Sequence, residues 1–360
     1  MQGHGLAPPT MESELRALAC AAVLTPACAA YARFAARRLR PGLPRLAALS
    51  PTFPLFVYLP CMFSSLHLRL CSSFFHTWLA INKLVLLALD LGPLHPTLPL
   101  LPFVLCAGLP IKVRLANVQS KQHPSSTSST TPVAEFVRPC ARSALLLTCL
   151  AAAYPYYTSG WVPLYAVHYL YCVQIFLTLD LVFSSAALAA ALVMGGGAAM
   201  ERQFSAPLAV TSLGDFWGRQ WNLMAVDLLR ASAYDPVRAR WGRDAGVVAA
   251  FLMSGLLHEL LYWYLTLRRP TGEMLLFFMV HAASQIAERW ARKAGLWRPP
   301  RAAAYLLVTA FMVVTISEMF FGPFVRAGTD VRLTEETAAL VALVWRATKR
   351  LIRPAGVVSS

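Results

Sequence analysis

Charge is scarce in this chain. Only 14% of its 360 residues are Asp, Glu, Lys or Arg, while 57% are hydrophobic; soluble domains run near 25% charged and 45–50% apolar. A globule of this size still shows many side chains to water, so this composition excludes a water-soluble core. Disordered, collagen-like and disulfide-scaffold chains are excluded by the same figures. What remains is an all-α, polytopic integral membrane protein, because backbone exposed to lipid must satisfy its own hydrogen bonds. Carboxylates are scarcer than cations, 17 Asp and Glu against 32 Lys and Arg, for a net charge of +15. No basic run is interleaved with exposed aromatics as base stacking requires, so nucleic acid is not an expected partner. The excess reads as positive-inside loops beside anionic lipid, on a cationic face that also suits a polyphosphorylated co-substrate.

Other absences narrow the chemistry. None of the eight cysteines forms a CxxC pair, which argues against zinc and thiol redox sites. Asparagine occurs three times, at Asn82, Asn117 and Asn222, and none opens an Asn-x-Ser/Thr sequon. HExxH fails because Tyr262 stands where its second His would be, and no histidine is followed by Asp at four or five positions. GxSxG, P-loop and GxGxxG patterns are missing too. No metal is expected. Internal repeats and paired broken helices in two halves, which would point to a transporter, are absent. The N-terminus opens on a polar, Pro-containing stretch with Glu12 and Glu14. That makes a poor signal peptide, so the first span is expected to stay as an anchor.

What is there is a series of apolar runs, counted against the ~20 residues that cross ~30 Å of hydrocarbon. Candidates are Leu15–Phe34, Leu46–Leu66, Phe74–Leu91, Leu94–Val113, Ser143–Thr158, Val162–Leu181, Ser184–Met200, Gly246–Leu267, Glu273–Trp290 and Ala302–Phe321, with a short last helix from Thr337 to Trp345. Prolines weaken the second and suggest that Leu94–Val113 is broken or shallow. The reading is about eight or nine transmembrane helices plus an interfacial or re-entrant helix. A polar, low-complexity linker at 119–133 separates N-terminal helices (1–118) from a core (134–360). Glu201–Asp244 differs in kind, holding eleven charges in 44 residues.

Ionisable groups inside spans are functional candidates by default. The sharpest is His258, mid-span in FLMSGLLHELLYWYL. A neutral imidazole is a natural general base in a dry site, or else a structural group bonding a neighbouring helix. Ser254 and Tyr262, at i−4 and i+4, share its face and could orient it, while Glu259 points about 100° away. The second feature is SLGDFWGRQWN, which crowds Phe216, Trp217 and Trp221 among Asp215, Arg219 and Asn222. Read as one helix, it pairs Arg219 with Asp215 and puts Asn222 on the face of Arg219. It is an interfacial aromatic belt or part of a site. An Asn has no evident place in a mere belt. His281, Gln285 and Glu288 form a polar stripe that lines a cavity or joins helices. Asn82, Lys83, Asp90, His168 and Asp180 are helix-bridging candidates.

These stretches, with LLRASAYDPVR, PTGEMLLFFMVHAASQIAE, FHTWLAINKLVLLALDLGPL and LPIKVR, resemble the plant wax synthases. Those are long-chain-alcohol O-fatty-acyltransferases of the membrane-bound O-acyltransferase superfamily. The resemblance covers most of residues 50–325. It implies that His258 is catalytic and that Asn222 is the polar partner of the second motif. Two residues depart from the pattern: Gln220 stands where a second Arg is expected, and Ala282 where Gly is common. The resemblance further implies an endoplasmic reticulum membrane and an acyl-CoA co-substrate, with no tightly bound cofactor. Acyl-CoA phosphates would meet Arg219, Arg230 and Arg238, with Trp217, Trp221, Ser254, Tyr262 and His281 in the substrate site. The acceptor is a long-chain alcohol, or a sterol on the same scaffold.

Overall fold

The computed structural model describes residues 10–111, 113–115, 132–194, 198–200 and 210–352. Helix α1 (Met11–Arg38) opens on Thr10, whose hydroxyl accepts the Ser13 N–H, a standard N-cap. The run expected to span at Leu46–Leu66 does not. It breaks into α2 (Leu43–Leu49), α3 (Thr52–Tyr58) and one tight turn (Leu59–Met62), because Pro51, Pro54 and Pro60 withhold the N–H groups a continuous helix would need. Then come α4 (Leu66–Ala88) and α5 (Leu100–Gly108), whose nine residues are too few to span, in line with the broken run that the prolines suggested. Strand β1 (Val113–Leu115) pairs antiparallel with β2 (Ala198–Met200), and apart from this three-residue ribbon the described elements are helical, as the all-α reading expected. Between the strands lie α6 (Pro132–Tyr157) and α7 (Leu164–Val193). The latter is one 30-residue helix where two spans were read. The remaining helices are α8 (213–220), α9 (Leu223–Thr266), α10 (Glu273–Lys293), α11 (Arg301–Arg326) and α12 (Thr329–Ile352).

Among the described residues, six helices are long and apolar enough to cross a membrane: α1, α4, α6, α7, α9 and α11. The eight or nine spans of the sequence reading are not reached by that measure. Two candidates are broken by proline, two merge into α7, and α10 ends on Glu288, Arg289, Arg292 and Lys293. Outward-facing Leu145, Leu192 and Leu306 are exposed, as suits helices bathed in hydrocarbon.

One buried cluster runs from Cys28 and Ala32 of α1 through Leu84 and Phe103 to Phe136 and Ala187. It therefore joins residues on both sides of the linker read at 119–133, most of which lies outside the described residues. Ala29, Ala32, Ala35 and Ala36 of α1 are buried, and such small side chains let helix backbones approach closely. A second cluster packs Trp78, Leu79 and Leu86 of α4 on Met224, Ala225 and Leu228 of α9.

Most polar groups flagged in the spans are bridges. Lys83, fully buried, donates to the carbonyls of Cys106 (2.6 Å) and Leu109 (2.7 Å), satisfying the C-terminal end of α5. Asp90 pairs with Arg45, and Asp180 accepts from Ser143 and Arg142. The N-terminus of α4 is capped by two carboxylates from distant parts of the chain. Glu14 accepts from the N–H groups of Ser64 and Ser65, and Glu336 from Ser65, the Leu66 and His67 N–H groups and the His67 ring. Burial pushes the Glu336 carboxyl up, but these donors outweigh it and hold it at about 2.

Candidate active site

A cavity of about 1370 Å³ runs between α4, α7, α9, α10 and α11, larger than the roughly 300–1,000 Å³ of ordinary small-molecule sites. Its walls are mostly aromatic and aliphatic. All four π-helical segments of the described chain, Ser73–Ala80, Phe216–Gln220, Arg230–Tyr234 and Ile316–Phe321, contribute lining residues. Such wide turns recur at functional sites.

His258 lines the cavity on α9. Its Nδ1–H donates to the carbonyl of Ser254, at 2.7 Å. The i−4 residue thus orients the ring, through its backbone rather than its hydroxyl. With the proton fixed on Nδ1, the Nε2 lone pair is left as acceptor, and Nε2 makes no bond to a described residue. Phe278 covers one side of the ring at 4.5 Å between centroids, and Phe320 stands at 5.8 Å. Tyr262, the i+4 neighbour, does not line the cavity. It is buried against Phe324. Glu259 turns away, as expected, and accepts the Leu275 N–H at the start of α10.

The crowded stretch before α9 is not one helix. Ser212 caps α8, Arg219 pairs with Asp215 at 2.7 Å, and the chain then extends at Trp221 and turns left-handed at Asn222 (φ 42°). Asn222 therefore leaves the face of Arg219. Its Oδ1 accepts the Ala225 N–H at 3.2 Å and caps α9. The sequence showed no place for an Asn in an aromatic belt, and the backbone supplies one. Asn is among the few side chains at ease with positive φ, and among the best N-caps. Asn222 is buried and lines the cavity, and its Nδ2 makes no bond to a described residue. Phe216 stacks on Trp221 (5.7 Å), and both line the same wall.

His281 differs from His258. It is fully buried, does not line the cavity, and uses both ring nitrogens. The Trp217 indole N–H donates to Nδ1 (3.1 Å), Nε2 lies 2.9 Å from the Thr315 hydroxyl, and that hydroxyl donates to the Phe311 carbonyl (2.8 Å). Since indole only donates, the imidazole proton sits on Nε2 and points at Thr315. No lone pair is left for substrate. His281 holds Trp217, which does line the cavity and packs on Phe278 at 5.7 Å. Further along α10, Glu288 of the stripe and Arg292 also grip the 211–217 segment: Glu288 accepts the Leu213 N–H, and Arg292 donates to the Thr211 carbonyl.

Arg219 and Arg230 line the cavity wall, whereas Arg238 lies over the Tyr234 ring and outside the cavity. Arg243 lines the wall in its place. Sequence reasoning missed it because the register shifts at Gly242, whose φ of 84° breaks α9 in a conformation that glycine adopts without strain. Gln285 also lines the cavity, one of the two outcomes left open for the stripe. Phe278 and Phe320 were missed because an aromatic in a span carries no signal apart from hydrophobicity. Among the described residues, no three His, Cys, Asp or Glu side chains converge as metal ligands.

Comparison with known proteins bears on the same region. The model of the membrane bound O-acyl transferase family matches residues 200–280, which contain both Asn222 and His258. The chain is 34% identical over 340 residues to the long-chain-alcohol O-fatty-acyltransferase of Simmondsia chinensis, covering 91% of this chain and 94% of the relative. It is 35% identical over 329 residues to the probable long-chain-alcohol O-fatty-acyltransferase 3 of Arabidopsis thaliana, covering 87% and 91%. With acyl-CoA–sterol O-acyltransferase 1 of Arabidopsis thaliana it shares 32% identity over 333 residues, covering 89% and 94%.

Proposed function

The chain belongs to the membrane-bound O-acyltransferase family, and from that premise we propose that it transfers a fatty acyl chain from acyl-CoA to a long-chain alcohol, releasing a wax ester and CoA. The observation that carries the chemistry is the His258 geometry: one nitrogen committed to a backbone carbonyl, the other open to a large apolar cavity.

In this mechanism the alcohol oxygen attacks the thioester carbonyl while His258 Nε2 takes its proton. The Ser254 carbonyl holds the tautomer and steadies the imidazolium that forms. The tetrahedral intermediate then expels the thiolate, which takes the proton from Nε2 and leaves as CoA. Asn222 Nδ2 donates to the developing oxyanion in this reading; losing such a donor typically costs ~10²–10³ in rate. No covalent acyl-enzyme is needed, because the thioester is already activated, so the cavity-lining thiols Cys71, Cys149 and Cys172 take no part. Arg219, Arg230 and Arg243, all in the cavity wall, are the cations offered to the CoA phosphates. The endoplasmic reticulum membrane is the proposed location.

A sterol acceptor is the second reading, favoured by the 32% identity to a sterol acyltransferase. Membranes from yeast expressing the chain, given labelled palmitoyl-CoA with hexadecanol, sterol or diacylglycerol, separate the readings. Hexadecyl ester is the expected product. Steryl ester alone would favour the second reading, and no ester from any acceptor would refute both.

A further inference from the structure

Gln285 sits on α10 and lines the cavity, yet its amide is not used by the fold. Oε1 is buried without a partner, and Nε2 makes no bond to a described residue. A buried amide left unpaired is costly. Opposite it is Gly214, also in the cavity wall. A Cβ added there would stand 3.6 Å from Gln285 Nε2, so the glycine leaves the face of the amide uncovered.

The depth of this amide can be read along the helix. Phe278 marks the level of His258, whose ring it covers. Gln285 comes seven residues later on an unbroken helix, about 10 Å further at ~1.5 Å per residue. The direction is toward Arg243: beyond Gln285, α10 grips the 211–213 backbone through Glu288 and Arg292, and Trp290 donates to Asp244, next to Arg243. An acyl-CoA whose carbonyl lies at His258 and whose phosphates lie at Arg243 must lay its pantetheine arm along this path. Extended chain covers ~3.3–3.6 Å per three bonds. The second amide of the arm, eight to nine bonds from the thioester carbon, then falls about 10 Å away.

We propose that Gln285 is a binding residue for the pantetheine arm of acyl-CoA, pairing its side-chain amide with the amide nearer the phosphates. The N–H of that amide donates to Oε1, the acceptor that the fold leaves unpaired. The inference rests on the acyl-CoA reading above and assigns a part of the donor to a named side chain.

The test compares two acyl donors in one protein. Palmitoyl-CoA carries the amides; S-ethyl thiohexadecanoate carries the same thioester and acyl chain without them. Gln285→Met is expected to lower kcat/KM for palmitoyl-CoA by about 3- to 10-fold, mostly through KM, as for a lost neutral hydrogen bond. With the S-ethyl thioester, wild type and Gln285→Met are expected to react equally. A misfolded fraction would lower both donors alike, so the ratio between them isolates the contact. Gln285→Asn, one methylene short, is expected to behave as Gln285→Met. Equal losses on both donors, or no loss on palmitoyl-CoA, would overturn the proposal. A wild type that forms no ester from palmitoyl-CoA would instead overturn the acyl-CoA reading beneath it.

Discussion

Replacing Thr315 by valine removes one hydroxyl and little else, which makes it a clean probe of the relay behind Trp217. The Thr315 oxygen lies 2.9 Å from His281 Nε2 and donates to Phe311. Without it, the imidazole N–H points into methyl groups in a fully buried position. Leaving a buried donor unpaired costs about 1–3 kcal/mol, or roughly 5- to 150-fold in the folding equilibrium. Turnover should suffer much less, because His281 has no lone pair to offer and Trp217 remains in the wall. A fall of under about tenfold is expected, the loss of a loosened wall rather than of a proton acceptor. Detergent-solubilised Thr315→Val and His281→Phe would be followed by thermal unfolding and by hexadecyl palmitate synthesis. Both variants should unfold at lower temperature, and the surviving folded protein should make ester. An His281→Phe protein as stable as wild type but without turnover would refute the argument and place His281 in the chemistry.

Three further outcomes follow from single groups. Asn222→Gly keeps the left-handed turn and, with only a few tenths of a kcal/mol lost from the cap, should fold, whereas Asn222→Ala combines a lost cap with positive φ at a total cost of about 2 kcal/mol; thermal unfolding separates them, and Asn222→Gly should still lose ~10²–10³ in kcat if Nδ2 serves the oxyanion. Because Glu336 is held at about 2 in the folded chain, below its ordinary 4.5, its stabilisation is complete above pH 4.5 and is lost as pH falls toward 2; Glu336→Gln should unfold more easily at pH 6, with a smaller further loss on acidification than wild type. Arg243→Ala should raise KM for acyl-CoA, more at low salt than at high, while Arg238→Ala, outside the cavity, should change it little.

Those parts of the site that lie within one helical turn could be read from spacing. The Arg219–Asp215 pair and the i−4 orientation of His258 are of this kind, and the Pro-rich runs announced their own breaks. What spacing could not supply was contact across the chain. Trp217 meets His281 after 64 residues and His281 meets Thr315 after 34, and no periodicity links them. As a result, two histidines that look alike as intramembrane groups part company only when their nitrogens are traced. Backbone turns were equally hidden. Asn222 read as one more residue of a helix, when it ends one segment and starts the next, and the break at Gly242 decided which arginine reaches the cavity.

The central claim is that the Nε2 of His258 takes the alcohol proton. Ester synthesis from labelled palmitoyl-CoA and hexadecanol should be measured for His258→Ala and His258→Gln, alongside their yield and thermal unfolding in detergent. Loss of a general base predicts a fall of at least ~10²–10⁴ in kcat for both at near-normal stability. Either variant making ester within tenfold of wild type would contradict it.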